Sequence, residues 1–178
     1  TIIREGYFDY LMAEGNIYDS GFKGIKLDFE EPVKYSLSYG QTDYTTKTFV
    51  GTARYDDFDY NLEAGVYHYR PDGDSSYNRI LTLAGNYNFS NFGLGAMYLG
   101  SSRKDSLGNC RGYVFSFNYG DLKTWRAGTY DIFAKYYNQP KYTYIEHGMN
   151  GKGGQLQGFT GYGLGAHYTL APNFVGGI

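Results

Sequence analysis

The residues best suited to acid, base or metal chemistry are few and scattered. His147 stands beside Glu146, but neighbours on an extended chain point apart, and no second His or Cys lies at ligand spacing. His68 and His167 fall inside strand-like runs, His68 at the end of an apolar one, where it reads as an interfacial ring rather than a ligand. A hydrolase needs a nucleophile with a base at one rim. His147 and His167 are the candidates for that base, and no Gly-x-Ser-x-Gly nucleophile turn accompanies either. Cys110 is the only cysteine and offers neither a disulfide nor a zinc set. Gly93/Gly95 and Gly163/Gly165 lie inside strand patterns rather than opening a helix, so they do not form a nucleotide fingerprint. Asn88-Phe89-Ser90 matches a glycosylation acceptor by chance spacing in an expected turn. The sequence therefore predicts no enzyme, no metal and no cofactor.

The charged residues that carry a pattern are those alternating with apolar ones. Successive side chains of a strand point to opposite faces. On the polar parity lie Lys26, Asp28, Lys34, Arg54, Glu63, Lys135 and His167, with Asp131 in a less regular strand. Both signs are present, as suits the lining of a wet lumen without strong ion selectivity.

These residues belong to a recurring alternation. Ile25, Leu27 and Phe29 precede the turn Glu30-Glu31-Pro32, and Tyr35, Leu37 and Tyr39 follow it. Phe49 to Tyr55 and Leu62 to Val66 flank Asp56-Asp57-Phe58-Asp59; Leu81 to Tyr87 and Phe92 to Tyr98 flank Ser90-Asn91. Tyr113 to Tyr119 turns at Gly120-Asp121 and returns through Trp125 to Tyr137, and the cleanest run is Tyr162 to Leu170. About eight to ten strands are expected on this spacing. Short acidic or Asn/Gly turns alternate with longer connections near 41–46, 70–77, 101–110 and 138–157, which places the long loops on one rim. Loop 138–157 could fold inward as a constriction or stand as a plain outer loop.

The composition agrees. The chain has 178 residues, 20% aromatic and 19% charged, with 26 Gly, 22 Tyr and 12 Phe and a formal net charge of -2. No apolar run approaches the roughly 20 residues of a membrane helix. Charges of both signs are spread without a basic stripe, which argues against nucleic acid. A lipocalin-like soluble barrel would put its apolar side inward and carry many charges outward. Here the polar parity is mostly Gly, Ser, Thr and Asn, while Tyr35, Tyr39, Tyr55, Tyr87, Tyr98, Tyr113, Tyr119, Tyr162 and Tyr168 sit near strand ends on the apolar side, as interfacial girdles do. The expected fold is an all-β, antiparallel up-and-down transmembrane β-barrel, with residues 1–178 as one barrel domain or barrel fragment. The chain starts at Thr1 without a signal-like segment, and a strand opens at Phe174 and stops at Ile178. A piece of a longer chain is expected.

Gly158-Phe-Thr-Gly-Tyr-Gly-Leu-Gly-Ala-His-Tyr-Thr-Leu-Ala-Pro-Asn173 resembles a late hairpin of a general porin. Ala134-Lys-Tyr-Tyr-Asn-Gln-Pro140 and Tyr144-Ile-Glu-His-Gly-Met-Asn-Gly151, with that strand, resemble the outer-membrane porins of diderm Firmicutes that carry S-layer-homology domains. Gly15-Asn-Ile-Tyr-Asp-Ser-Gly-Phe-Lys-Gly24 is similar to a mid-barrel segment of the same proteins. The resemblance implies a homotrimer of large barrels of about sixteen strands, with a preceding wall-binding domain that these residues do not include. It implies an outer-membrane location, contact with outer-membrane lipid, and passive diffusion of small hydrophilic solutes. The alternative is a small non-conducting barrel acting as an adhesin or as a link from membrane to wall, since a barrel of about eight strands is filled by its own side chains.

Overall fold

The computed structural model describes residues 1–30, 32–145 and 158–178. Alternation becomes one sheet of eleven strands, each hydrogen-bonded to its sequence neighbours: β1 (Ile2–Met12), β2 (Tyr18–Phe29), β3 (Lys34–Thr42), β4 (Thr45–Asp56), β5 (Tyr60–Pro71), β6 (Asn78–Phe89), β7 (Phe92–Ser101), β8 (Arg111–Gly120), β9 (Tyr130–Pro140), β10 (Gly158–Ala171) and β11 (Phe174–Gly177). Every pairing is antiparallel, the order is that of an up-and-down meander, and β1 and β11 are not paired with each other. The fold is thus all-β, and the sheet is open. The only helical piece among the described residues is a single 3₁₀ turn, Ala13–Gly15.

Three features depart from the sequence expectation. The described residues form eleven strands, because Ile2–Met12 pairs with Tyr18–Asp28 although its alternation is broken by charge. The long loop expected near 41–46 is a two-residue turn, Asp43–Tyr44. Its flanking threonines read as loop but form a buried hydroxyl chain, Thr42 to Thr45 at 2.7 Å and Thr45 to Thr48 at 2.8 Å. The β8–β9 connection, expected to be tight, runs from Asp121 to Thr129 and is tied to β10: Gly128 N donates to Thr169 O (2.9 Å) and Thr169 Oγ1 to Lys123 O (3.0 Å).

The two faces differ sharply. On the outer face, Leu37, Leu62, Leu81, Leu83, Leu94, Phe115, Tyr162 and Leu164 are exposed. The inner face holds the packed residues. Tyr10, Met12, Tyr18 and Phe22 of β1 and β2 pack with Val50, Tyr67, Ile80, Met97, Leu99, Val114 and Tyr137. The β1–β2 tip lies on this face: Asn16 Nδ2 donates to Met97 Sδ on β7 (3.7 Å), and Gln139 Nε2 on β9 donates to Asn16 O (2.9 Å). Between β2 and β3, Gly24 faces Gly40. A Cβ on Gly24 would lie 2.7 Å from the Gly40 Cα, so only glycine permits that approach.

Replacing Ile80, fully buried at the centre of this packing, by Ala should lower the unfolding free energy by about 2–5 kcal/mol. A denaturant titration in mild detergent measures it.

Candidate functional site

Cross-strand partners share a face, so the register decides where each nominated residue stands. One row runs Lys34, Arg54, Glu63, Ala84, Met97, Val114, Tyr137, Gly161 across β3 to β10. A parallel row carries Asp28, Ser36, Thr52, Gly65, Thr82 and Leu99, and Lys26 lies opposite Ser38. Lys135 lies between Ser116 and Gly163, and Asp131 directly opposite His167. All eight nominated residues therefore stand on the inner face. They do not stand together.

The first group lies near the turn-side ends of β2 to β5. Asp56 accepts from Lys34 Nζ at 2.9 Å and from Arg54 Nε at 2.8 Å, and an Arg54 terminal nitrogen lies 3.6 Å from Glu63 Oε2. Lys26 Nζ is 3.4 Å from Asp28 Oδ1 and sits over the Tyr10 ring at 4.8 Å from its centroid. Asp131 Oδ1 and His167 Nδ1 form a second group at 2.7 Å, with the Phe133 ring stacked on the imidazole at 5.4 Å. Gly165 opposite Phe133 leaves the space this ring fills. Lys135 is exposed and makes no ion pair among the described residues.

Two participants carry no clear signal in the sequence. Asp56 sits in an acidic turn cluster and reads as turn, yet it closes β4 and holds two cations. Glu14 has no strand parity at all. Its Oε1 accepts from Asn86 Nδ2 at 3.0 Å, and the same Asn86 nitrogen donates to Asn61 Oδ1 at 3.0 Å. This delivers a carboxylate from the β1–β2 tip to the polar part of β5 and β6. The arrangement offers fixed charges of both signs. Among the described residues no group of three or more His, Cys, Asp or Glu is placed to hold a metal ion.

The inner face is only partly polar. Toward the loop side it is closed by the packed cluster and by 141–145, where Thr143, Tyr144 and Ile145 are buried. Ile145 N donates to Ile17 O (2.9 Å), and Asn78 Nδ2 donates to both Tyr142 O (2.9 Å) and Tyr69 Oη (2.8 Å). The described start of loop 138–157 thus lies on the inner face. His147 and Glu146 fall outside the described residues. His68 faces outward and stacks on Tyr77 with ring centroids 4.8 Å apart.

At the loop-side rim, Arg103 between β7 and β8 pairs with Asp74 between β5 and β6 at 2.6 Å and lies over the Tyr142 ring at 4.5 Å. Hydrogen bonds from the Ser76 backbone and from Arg103 hold the Asp74 carboxyl well below the usual carboxylate range, and the pairing raises Arg103. The folded value is the lower one, so this contribution is complete above the unfolded value near 4 and is lost only as pH falls through the depressed one. No protein-family model matches this chain, and no curated protein matches it.

In a carboxyl ¹³C titration, Asp74 should stay ionised at pH 3, where an ordinary aspartate is mostly protonated, and Arg103→Gln should move its midpoint upward. In a separate digest, Asp74→Asn should speed tryptic cleavage after Arg103 and Lys104.

Proposed function

We propose that this chain is part of the wall of an outer-membrane β-barrel of the porin type, admitting small hydrophilic solutes by passive diffusion. The observation that carries this reading is the outer face. From β3 to β10 its paired positions are mostly Leu, Ile, Val, Phe, Tyr, Ala and Gly; toward the loop side they also include Thr46, His68, Asn138 and Thr160, and among the described pairs Arg70, Arg79 and Arg111 carry the charge there, at loop-side strand ends. A soluble monomer seldom exposes a continuous apolar patch beyond a few hundred Å². A bilayer calls for such a surface. The strands β3 to β10 run from 9 to 14 residues, enough to cross a hydrocarbon core when tilted. Aromatic rings bracket the band: Tyr55 with Tyr60 and Phe92 with Tyr119 on the turn side, Tyr98 with Tyr113 toward the loop side. Amphipathic rings favour the headgroup level.

On this reading Lys26, Asp28, Lys34, Arg54, Glu63, Asp131, Lys135 and His167 border the aqueous interior, and a barrel of about sixteen strands assembling as a homotrimer is the form the sequence resemblance implies. Passage is governed by size and by the field of these mixed charges.

A second reading has its own support. The packed inner cluster and the inward 141–145 segment fill space that a wide channel leaves open, as suits a narrow, non-conducting barrel with an adhesive or structural role.

Single-channel recording of purified protein in a planar bilayer separates the two. Steady openings are the outcome the porin reading expects; silence, with a compact heat-modifiable band on gels, overturns it and leaves the filled barrel. In either form, Leu37→Arg or Leu164→Arg on the outer face should cost about 2–4 kcal/mol of membrane folding stability near the midplane, measured by reversible unfolding in vesicles.

A further inference from the structure

The β1–β2 hairpin breaks the pattern of every strand that follows it. Its outward positions pair as Glu5 with Ile25, Tyr7 with Lys23, Asp9 with Gly21 and Leu11 with Asp19. Four of those eight residues are charged: Glu5 lies on the row of Ile25, Tyr39, Phe49, His68 and Arg79, and Lys23, Asp9 and Asp19 follow it toward the tip, so that charge occupies the whole distal half of the hairpin. Lipid is a poor cover for such a surface, since charge on a lipid face is destabilising and most so near the midplane.

The other side of the same hairpin explains where it goes. Tyr10, Met12, Tyr18 and Phe22 are buried in the inner cluster. The tip reaches Asn86 on β6, Met97 on β7 and Gln139 on β9, four to seven strands beyond β2 in the sheet order. β2 also continues past its neighbour: Phe22 pairs with Thr42, the last residue of β3, while Tyr18 to Gly21 pair only with β1. A tip that turns this way needs unusual backbone, and Ala13, Glu14 and Gly15 in succession take positive φ of 49°, 55° and 79°. For Ala and Glu that conformation is costly and persists only where packing and hydrogen bonds hold it. Here Ala13 is buried and Glu14 is bonded to Asn86.

Resting on the porin reading above, we infer that the distal β1–β2 hairpin is not wall but an inward-folded constriction, and that water covers its charged side at Asp9, Asp19 and Lys23. The narrowest part of the path is then set by two layers: the inner-face charges of the sheet, and the back of the hairpin.

The test is cysteine accessibility in the membrane-inserted protein, with Cys110→Ser as background. Asp9→Cys and Asp19→Cys are treated with a negatively charged, membrane-impermeant methanethiosulfonate during bilayer recording and, in parallel, in vesicles with mass readout. Leu83→Cys on the outer face of β6 serves as the lipid-covered reference. The inference expects both hairpin cysteines to react at least about tenfold faster than the reference, the contrast between a hydrated and a lipid-covered side chain. It also expects each modification to reduce the single-channel current. Hairpin cysteines as protected as Leu83→Cys overturn it, and so does rapid modification that leaves the current unchanged. If the protein conducts and only these results fail, the constriction is wrong and the porin reading stands; if no variant and no parent conducts, the porin reading fails and the constriction with it. A heat-modifiable band for each variant shows that it has folded.

Discussion

Everything in this molecule depends on the register of its antiparallel ladders. Ten successive pairings hold eleven strands, and in each the partner of an inward residue is also inward. A slip of one residue anywhere would carry a strand's whole apolar set to the opposite face. The register is secured where side chains interlock across strands: Gly24 against Gly40, the Phe133 ring over Gly165, and the threonine chain at the β3–β4 turn. None of these contacts is large. Their effect is to make only one alignment fit.

The row from Lys34 through Arg54, Glu63 and Met97 to Val114 and Tyr137 shows what that alignment accomplishes. A single line across the sheet begins among ion pairs and ends in packed apolar side chains. The inner face is therefore divided along its length rather than strand by strand. Exposed ion pairs contribute at most about 1 kcal/mol each, so the charged part holds the fold weakly. Cohesion within the inner face resides in the apolar part, where Tyr67, Ile80 and Leu99 are almost wholly removed from solvent. Segments outside the sheet reach polar groups here: Asn78 Nδ2 donates to Tyr142 O and Gln139 Nε2 to Asn16 O.

The strands β3 to β10 were legible because one of their faces is uniformly apolar, and period-two alternation survives single exceptions. By the register, Lys26, Asp28, Lys34, Arg54, Glu63, Asp131, Lys135 and His167 share one face of the sheet. β1 and the distal half of β2 were not legible, since Glu5, Asp9, Asp19 and Lys23 put charge on one side while Tyr10, Tyr18 and Phe22 put bulk on the other, leaving no clean apolar period. Thr42 and Thr45 looked like loop because isolated hydroxyls favour turns; their bonding to each other and on to Thr48 is a tertiary fact. The packed part of the inner face was hidden for a related reason. Tyr67, Ile80, Met97 and Val114 share the parity of the charges, and alternation states only which side a residue takes, not what covers that side.

The described residues form an odd number of strands, eleven, and in a meander that fixes polarity: β1 and β11 run in the same direction. If those two edges met, they would form a parallel seam in an otherwise antiparallel cylinder. A cylinder with no such seam requires an odd count of additional strands between them, the first and last of which both run opposite to β1. Polarity alone thus restricts which assemblies can enclose a lumen with this sheet, whatever the side chains at its margins.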